Sequence, residues 1–188
     1  MNKMELSVAP LHKNPEYLMD CCRLINDEWK RSDTARLHSL QASCDQLPTS
    51  LILLQNQTLV GHLKLTPIPR IQEACFVESV VIDKNFRGKG YGTILMKNAE
   101  EYCKKNLRLN TIYLSTKGQE YFYNKLGYTE CLPISIYGSC IPNSIAPKQK
   151  TETHQNDNFI KGVPLPPPLP VNKTAIVSAT KTFMKKQI

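Results

Sequence analysis

Nowhere in these 188 residues do 18 apolar residues run together, and the first 30 carry charges without a signal-like apolar centre. Neither a membrane-spanning helix nor a secretory leader is expected. Cys-x-x-Cys spacing is also absent. The cysteines, at positions 21, 22, 44, 75, 103, 131 and 140, are seven, an odd number, and several lie in apolar segments. They read as reduced cytosolic thiols, not as a disulfide frame or a zinc site, and no metal is expected. No basic stripe interleaved with aromatics appears. Of the net charge of +8, residues 139–188 carry +5, from seven lysines against Glu152 and Asp157, which leaves +3 for residues 1–138. With most of the excess on the tail, no nucleic-acid partner is expected, although a weak acidic partner stays open. The length suits one domain with a substantial core.

Only eight glycines are present, and three of them fall in the run Arg87-Gly88-Lys89-Gly90-Tyr91-Gly92. The run follows the apolar stretch 75–83 and precedes Gly92 to Asn106, where Ile94, Leu95, Ala99, Tyr102 and Cys103 recur at helical spacing. Missing side chains let successive amides turn toward one point, and the helix N-terminus behind them favours an anion. Arg87 and Lys89 add mobile positive charge. A nucleotide-triphosphate loop would need a Lys-Ser/Thr pair after its last glycine, whereas Tyr91-Gly92-Thr93 follows Gly90. A dinucleotide fingerprint would need Gly-x-Gly-x-x-Gly, whereas the pattern here is Arg-x-x-Gly-x-Gly.

That pattern, after a strand ending Val80-Val81-Ile82-Asp83, resembles the acetyl-coenzyme A loop of the GNAT acetyltransferase superfamily. A second segment carries the same resemblance. Thr111 to Ser115 reads as a strand, and Gln119 to Tyr128 as a short helix ended by Gly127, with Phe122-Tyr123 and Gly127-Tyr128 in the places of the family's second signature. The resemblance implies an α/β fold: a mixed, mostly antiparallel sheet of about seven strands with flanking helices, whose central strands splay to bind acetyl-CoA.

From the N-terminus, Asn14 to Trp29 predicts a first helix and Lys30 to Ala42 a polar, partly helical connection. Leu51 to Leu54 and Leu59 to Leu65 predict a hairpin, Cys75 to Asp83 the central strand, and Leu132 to Tyr137 a sixth strand. The catalytic core is therefore placed at 1–138. Residues 139–172, including the run Val163 to Pro170, are expected to form a flexible proline-rich insert, since prolines cannot donate ladder hydrogen bonds and favour polyproline II. Residues 173–188 are expected to supply the seventh strand.

The resemblance also implies roles. Backbone groups of Ser79, Val80, Val81 and Ile82 would hold the pantetheine and polarise the thioester, and Arg87, Gly88, Lys89, Gly90, Tyr91 and Gly92 the pyrophosphate. Gln119 stands where relatives commonly use Asn to touch the coenzyme. Tyr123 matches the tyrosine that protonates the leaving thiolate in many relatives. The fifth-strand histidine of many N-terminal acetyltransferases is replaced by Ser115, a poor base, and Glu78 is the nearest carboxylate. Without an obvious strong base, the site suits an α-amine, with a pKa of about 7.7–8.0, better than a lysine at about 10.4.

Acceptor preference is expected in the segment after the first helix, at Trp29, Arg31, Arg36, Leu37, His38 and Ser39, with Tyr137 on the expected sixth strand. Arg31, Arg36 and His38 could meet acidic side chains, the arginines through bidentate pairs. Asn-Asp-Glu-Trp at 26–29, Thr-Ala-Arg-Leu-His-Ser-Leu at 34–40 and the proline run together resemble animal N-terminal acetyltransferases dedicated to actin. That implies transfer to the processed, acidic actin N-terminus in the cytosol, with profilin or another polyproline-binding module docked on 163–170. Two alternatives stay open: a small-amine acetyltransferase of the same fold, and a non-catalytic cytoskeletal adaptor.

Overall fold

The computed structural model describes residues 5–137 and 181–188. The proline-rich insert placed at 139–172 lies outside the described residues. One seven-stranded sheet runs in the order β1-β2-β3-β4-β5-β7-β6. Its strands are β1 (Leu6–Pro10), β2 (Thr49–Gln55), β3 (Thr58–Ile68), β4 (Ile71–Ile82), β5 (Thr111–Thr116), β6 (Thr129–Glu130) and β7 (Thr182–Gln187). Every pairing is antiparallel except β4 with β5. The helices are α1 (Leu18–Glu28), α2 (Asp33–Gln41), α3 (Tyr91–Lys105) and α4 (Glu120–Lys125).

Both faces of the sheet are covered, so β2 reads as a continuous apolar run without polar alternation. Its Leu51 and Leu53 pack with α3 residues Leu95, Met96 and Ala99, while Ile52 and Leu54 pack with α1 residues Cys21, Cys22 and Ile25. Cys21, Cys22, Cys75 and Cys103 are buried free thiols in these layers. Burial pushes the Cys21 thiol up to about 12, so it is held as an inert, protonated hydrophobe.

Local chemistry sets the boundaries. The hairpin of β2 and β3 turns on Asn56 and Gln57, both at positive φ (47° and 65°) as a two-residue primed turn requires. A 3-10 turn at Pro15–Tyr17 leads into α1, so the helix starts later than Asn14. Most of the expected connection 30–42 is helical: Ser32 caps α2, its hydroxyl accepting from the Ala35 amide at 3.4 Å.

Two differences from the sequence expectation stand out. The sixth strand is not Leu132 to Tyr137 but the two-residue β6, and Leu132 is 87% exposed. The edge strand β1 was not expected. The closing strand was, and β7 lies between β5 and β6, pairing with β5 from Thr116–Thr182 to Thr111–Gln187. Met184 of β7 is fully buried, and Lys186 donates to Glu100 of α3 at 2.6 Å.

Candidate active site

The centre of the site is an irregularity in β4. On β3, His62 faces Val81 and Lys64 faces Glu78, so Leu63 alone opposes Ser79 and Val80. This is a bulge, and Ser79 takes φ +52°, a left-handed backbone that costs a non-glycine residue about 1–3 kcal/mol. Parallel pairing of β4 with β5 stops at Val77 and Leu114. Beyond that point the strands part, and a cavity of about 480 Å³ opens, with Val80, Val81 and Ile82 along one wall. Gln119, Phe122 and Tyr123 of the α4 segment also line it, together with Glu28, Trp29 and the glycine loop.

In the loop, Gly88 and Gly90 have φ of +76° and +79°, and a Cβ on either would meet nothing within 4 Å. Glycine is required there by backbone conformation, and the space above is open. Gly90 is also the residue before α3, whose first-turn amides have no carbonyl partner within the helix. This cradle fits a pyrophosphate. Gly92 does something else: a Cβ there would lie 3.3 Å from Cζ of Phe122, so its missing side chain lets α4 approach α3. Arg87 is not the mobile charge expected of it. Its Nη2 donates to Glu28 at 2.7 Å and its Nε to the Ile82 carbonyl at 2.9 Å, tying the loop to the end of α1. Lys89 Nζ lies 5.0 Å over the Phe86 ring and is not among the lining residues. Gly90→Val would fill the cradle and strain the turn. It is expected to weaken acetyl-CoA binding about tenfold or more by calorimetry, the scale of one charge-assisted hydrogen bond. A folded variant that binds as tightly as the parent would contradict the pyrophosphate assignment.

Tyr123 packs edge-on against Phe122 and Tyr128, at 4.9 and 5.9 Å between ring centroids. Burial pushes its phenol up to about 12, so it stays protonated at neutral pH and can serve only as an acid. Gln119 is the residue before α4 and reaches the cavity. Ser115 does not. It lies on the sheet face opposite the buried Leu114, paired with Phe183 of β7.

The residues expected to meet the acceptor lie mostly at the α1–α2 junction and on α2. Trp29 is 45% exposed and lines the cavity mouth. Arg36, expected to meet acidic side chains of the acceptor, donates from Nε to Asn26 at 3.0 Å and from Nη2 to the Trp29 carbonyl at 2.8 Å, bracing the α1–α2 junction. Arg31 is exposed, as is His38, whereas Leu37 packs into the α1 cluster. Ser39 accepts from Lys64 Nζ at 2.8 Å. Glu78 lies across from Lys64 and accepts from the Thr66 hydroxyl at 3.1 Å. Tyr137 is 84% exposed and stays outside the cavity lining.

Two residues of β3 were not anticipated. Lys64 is half-buried, and its pKa is lowered by burial, with Arg31 and Arg36 adding to the effect and Glu78 opposing it. His62 is fully buried, and burial, aided by Lys64 and Arg36, pushes its imidazole down to about 4 against a hydrogen bond to Ser79 that works the other way. Since the unfolded chain takes up this proton near pH 6.5 and the folded chain only near pH 4, stability is fully present above the former. It falls as pH drops through that window, by about 3 kcal/mol in all. His62→Asn is expected to flatten the thermal-melting curve between those pH values; an unchanged acid limb would contradict the buried neutral imidazole.

The frame of the site is a splayed strand pair with a glycine cradle beside it. Residues 16–128 match the acetyltransferase (GNAT) family model. Over 121 residues, 61% of this chain, the sequence is 38% identical to mouse N-alpha-acetyltransferase 80, of whose length the match spans 38%. In fold it is similar to a GNAT acetyltransferase of Streptococcus pneumoniae, with a TM-score of 0.60 and 16% identity over 98% of this chain and 100% of that one. It is also similar to a mutant form of the spermidine N-acetyltransferase SpeG of Vibrio cholerae, with a TM-score of 0.55 and 19% identity over 66% and 80% of the two chains. The glycine loop and the Phe-Tyr helix lie inside the matched region, and the chain belongs to the acetyltransferase (GNAT) family.

Proposed function

We propose that the protein transfers acetyl from acetyl-CoA to the α-amine of an acidic protein N-terminus. The observation that carries this reading is one cavity joining the cradle, the bulged backbone of β4 and Tyr123; the charged cluster in which Lys64, Arg31 and Arg36 outnumber Glu78 supports the acidic acceptor. Acetyl-CoA, when bound, supplies the activated thioester carbonyl. The cradle amides take the pyrophosphate, and the stretch of β4 that has parted from β5 orients the carbonyl and meets the negative charge that develops on its oxygen. As the amine forms its bond to carbon and the carbon–sulfur bond breaks, Tyr123 is placed to give its proton to the departing sulfur. The proton lost by the amine leaves on the acceptor side, where Glu78 is the carboxylate on the sheet face.

The similarity to mouse N-alpha-acetyltransferase 80 supports an α-amine acceptor, and Lys64 supports an acidic one. Its ammonium is half-buried and donates to the Ser39 hydroxyl, with Glu78 acting on it only through space, so an incoming carboxylate would gain a direct charge-assisted contact. Within that class, the processed N-terminus of actin is the acceptor that the sequence resemblance implies. The proline run at 163–170 offers profilin or a similar module a polyproline ligand. Lys64 also makes a cleaner test than Arg36, whose loss would loosen the α1–α2 junction. Lys64→Met is expected to lower the rate ratio of Asp-Asp or Glu-Glu peptides over Ser or Met peptides about ten- to hundredfold. Steady-state kinetics on matched peptides reads the ratio, and a value equal to the parent's would remove Lys64 from acceptor recognition.

A further inference from the structure

Resting on the reading of this site as an acetyl-transfer centre, we propose that His62 is a positioning residue. Its imidazole holds the Ser79–Val80 peptide so that the Val80 N–H faces the gap between β4 and β5. Nδ1 of His62 lies 3.3 Å from the Ser79 carbonyl oxygen. A carbonyl only accepts, so Nδ1 carries the proton and donates it. The C=O of Ser79 and the N–H of Val80 belong to one planar trans peptide and point opposite ways. With the oxygen held toward the His62 ring, the N–H points away from that ring, and Val80 lines the cavity that opens where pairing with β5 has ended.

Three features favour this over a packing role. Ser79 sits at φ +52° without being glycine, a conformation that persists only when its surroundings fix it. The Nε2 atom of His62 is buried with no hydrogen-bond partner among the described residues. A leucine would fill the same space without stranding a polar atom, so folding alone does not call for histidine here. The neighbouring cations Lys64, on its own strand, and Arg36, from α2, disfavour a second proton on the ring, which leaves the bulge carbonyl as the destination of the single one.

The test compares His62→Asn, whose amide nitrogen takes the place of Nδ1, with His62→Gln, whose amide reaches only to Nε2, and with His62→Leu. In the ligand-free protein the Val80 amide resonance is expected as one sharp peak in the parent and in His62→Asn. In the other two it should be broadened or shifted as the peptide loses its fixed direction. In turnover, His62→Asn should stay within about threefold of the parent. The other two should lose about ten- to hundredfold in kcat, with KM for acetyl-CoA little changed, as for a misaimed oxyanion donor. A His62→Leu enzyme with parental kcat, or a His62→Asn enzyme as slow as His62→Leu, would overturn the assignment. Failure of both the Gln and Leu variants to fold beside a stable Asn variant would make His62 structural and overturn it as well. If the Val80 resonance follows the expected pattern while no amine is acetylated by the parent protein, the positioning role stands and the acetyl-transfer reading fails.

Discussion

Tyr123→Phe is expected to lower kcat by about 10²- to 10⁴-fold, the usual contribution of a positioned general acid, while KM for acetyl-CoA moves only severalfold. Removing one oxygen leaves the ring edge-on to Phe122 and Tyr128, so the variant should fold with near-parental stability. The loss should be confined to the step in which negative charge collects on sulfur. Because burial pushes the phenol up to about 12, the parent should show no alkaline fall in kcat from Tyr123 below that pH. A rate equal to the parent's would reduce Tyr123 to a packing residue and move the acid elsewhere. A thioester with a more acidic thiol leaving group should narrow the difference between the two proteins, since a better leaving group needs less protonation.

Deletion of Phe183 to Ile188 is the second change of large effect. Because β7 lies between β5 and β6, its loss would strip β5 of its antiparallel partner and detach β6 altogether. Met184 is fully buried, and truncating such a side chain alone costs about 2–5 kcal/mol. The Lys186–Glu100 ion pair, whose ammonium also lies 5.6 Å from the Tyr128 ring centroid, would leave a partly buried carboxylate behind. Against a total stability of about 5–15 kcal/mol, the shortened chain is expected not to fold. Its circular dichroism should show no cooperative melt, and a transition at the parental temperature would contradict this placement. Deletion of Val163 to Pro170, by contrast, should leave peptide acetylation unchanged, because a run of prolines lacks the N–H donors that a sheet ladder needs.

What the sequence made legible followed from how local each constraint is. The cradle could be read because positive φ at Gly88 and Gly90 is a property of those residues alone, and the Phe122-Tyr123 helix because it is short and contiguous. Strand alternation misled at Leu132 to Tyr137, where Ile134 and Ile136 pack against Ile68, Ala74 and Phe76 without joining the sheet as a strand. The sheet position beside β5 is taken by β7, whose far side pairs with Thr129 and Glu130 and accepts one more bond, from the Cys131 amide to the Phe183 carbonyl. The edge strand β1 went unread because its five residues, Leu6–Pro10, are short and end in proline. Arg36 looked available to an acidic acceptor because its partners, Asn26 and the Trp29 carbonyl, come from α1 and its end, seven to ten residues away. His62 and Lys64 were overlooked for a related reason. Alternating with Leu63 and Leu65, they look like the wet face of a hairpin strand, and only the packing of α1 and α2 over that face turns them into site residues.

The central claim, acetyl transfer to an acidic α-amine, is tested most directly by incubating the full chain with labelled acetyl-CoA and matched acceptors. These are a peptide beginning Asp-Asp or Glu-Glu with a free α-amine, the same peptide blocked at its N-terminus but carrying a lysine, a peptide beginning Ser or Met, and spermidine. Label is predicted on the free acidic N-terminus ahead of the neutral one, with the blocked peptide and spermidine left unmodified. Label on spermidine or on the lysine with none on the acidic α-amine, or no transfer to any acceptor, would contradict it.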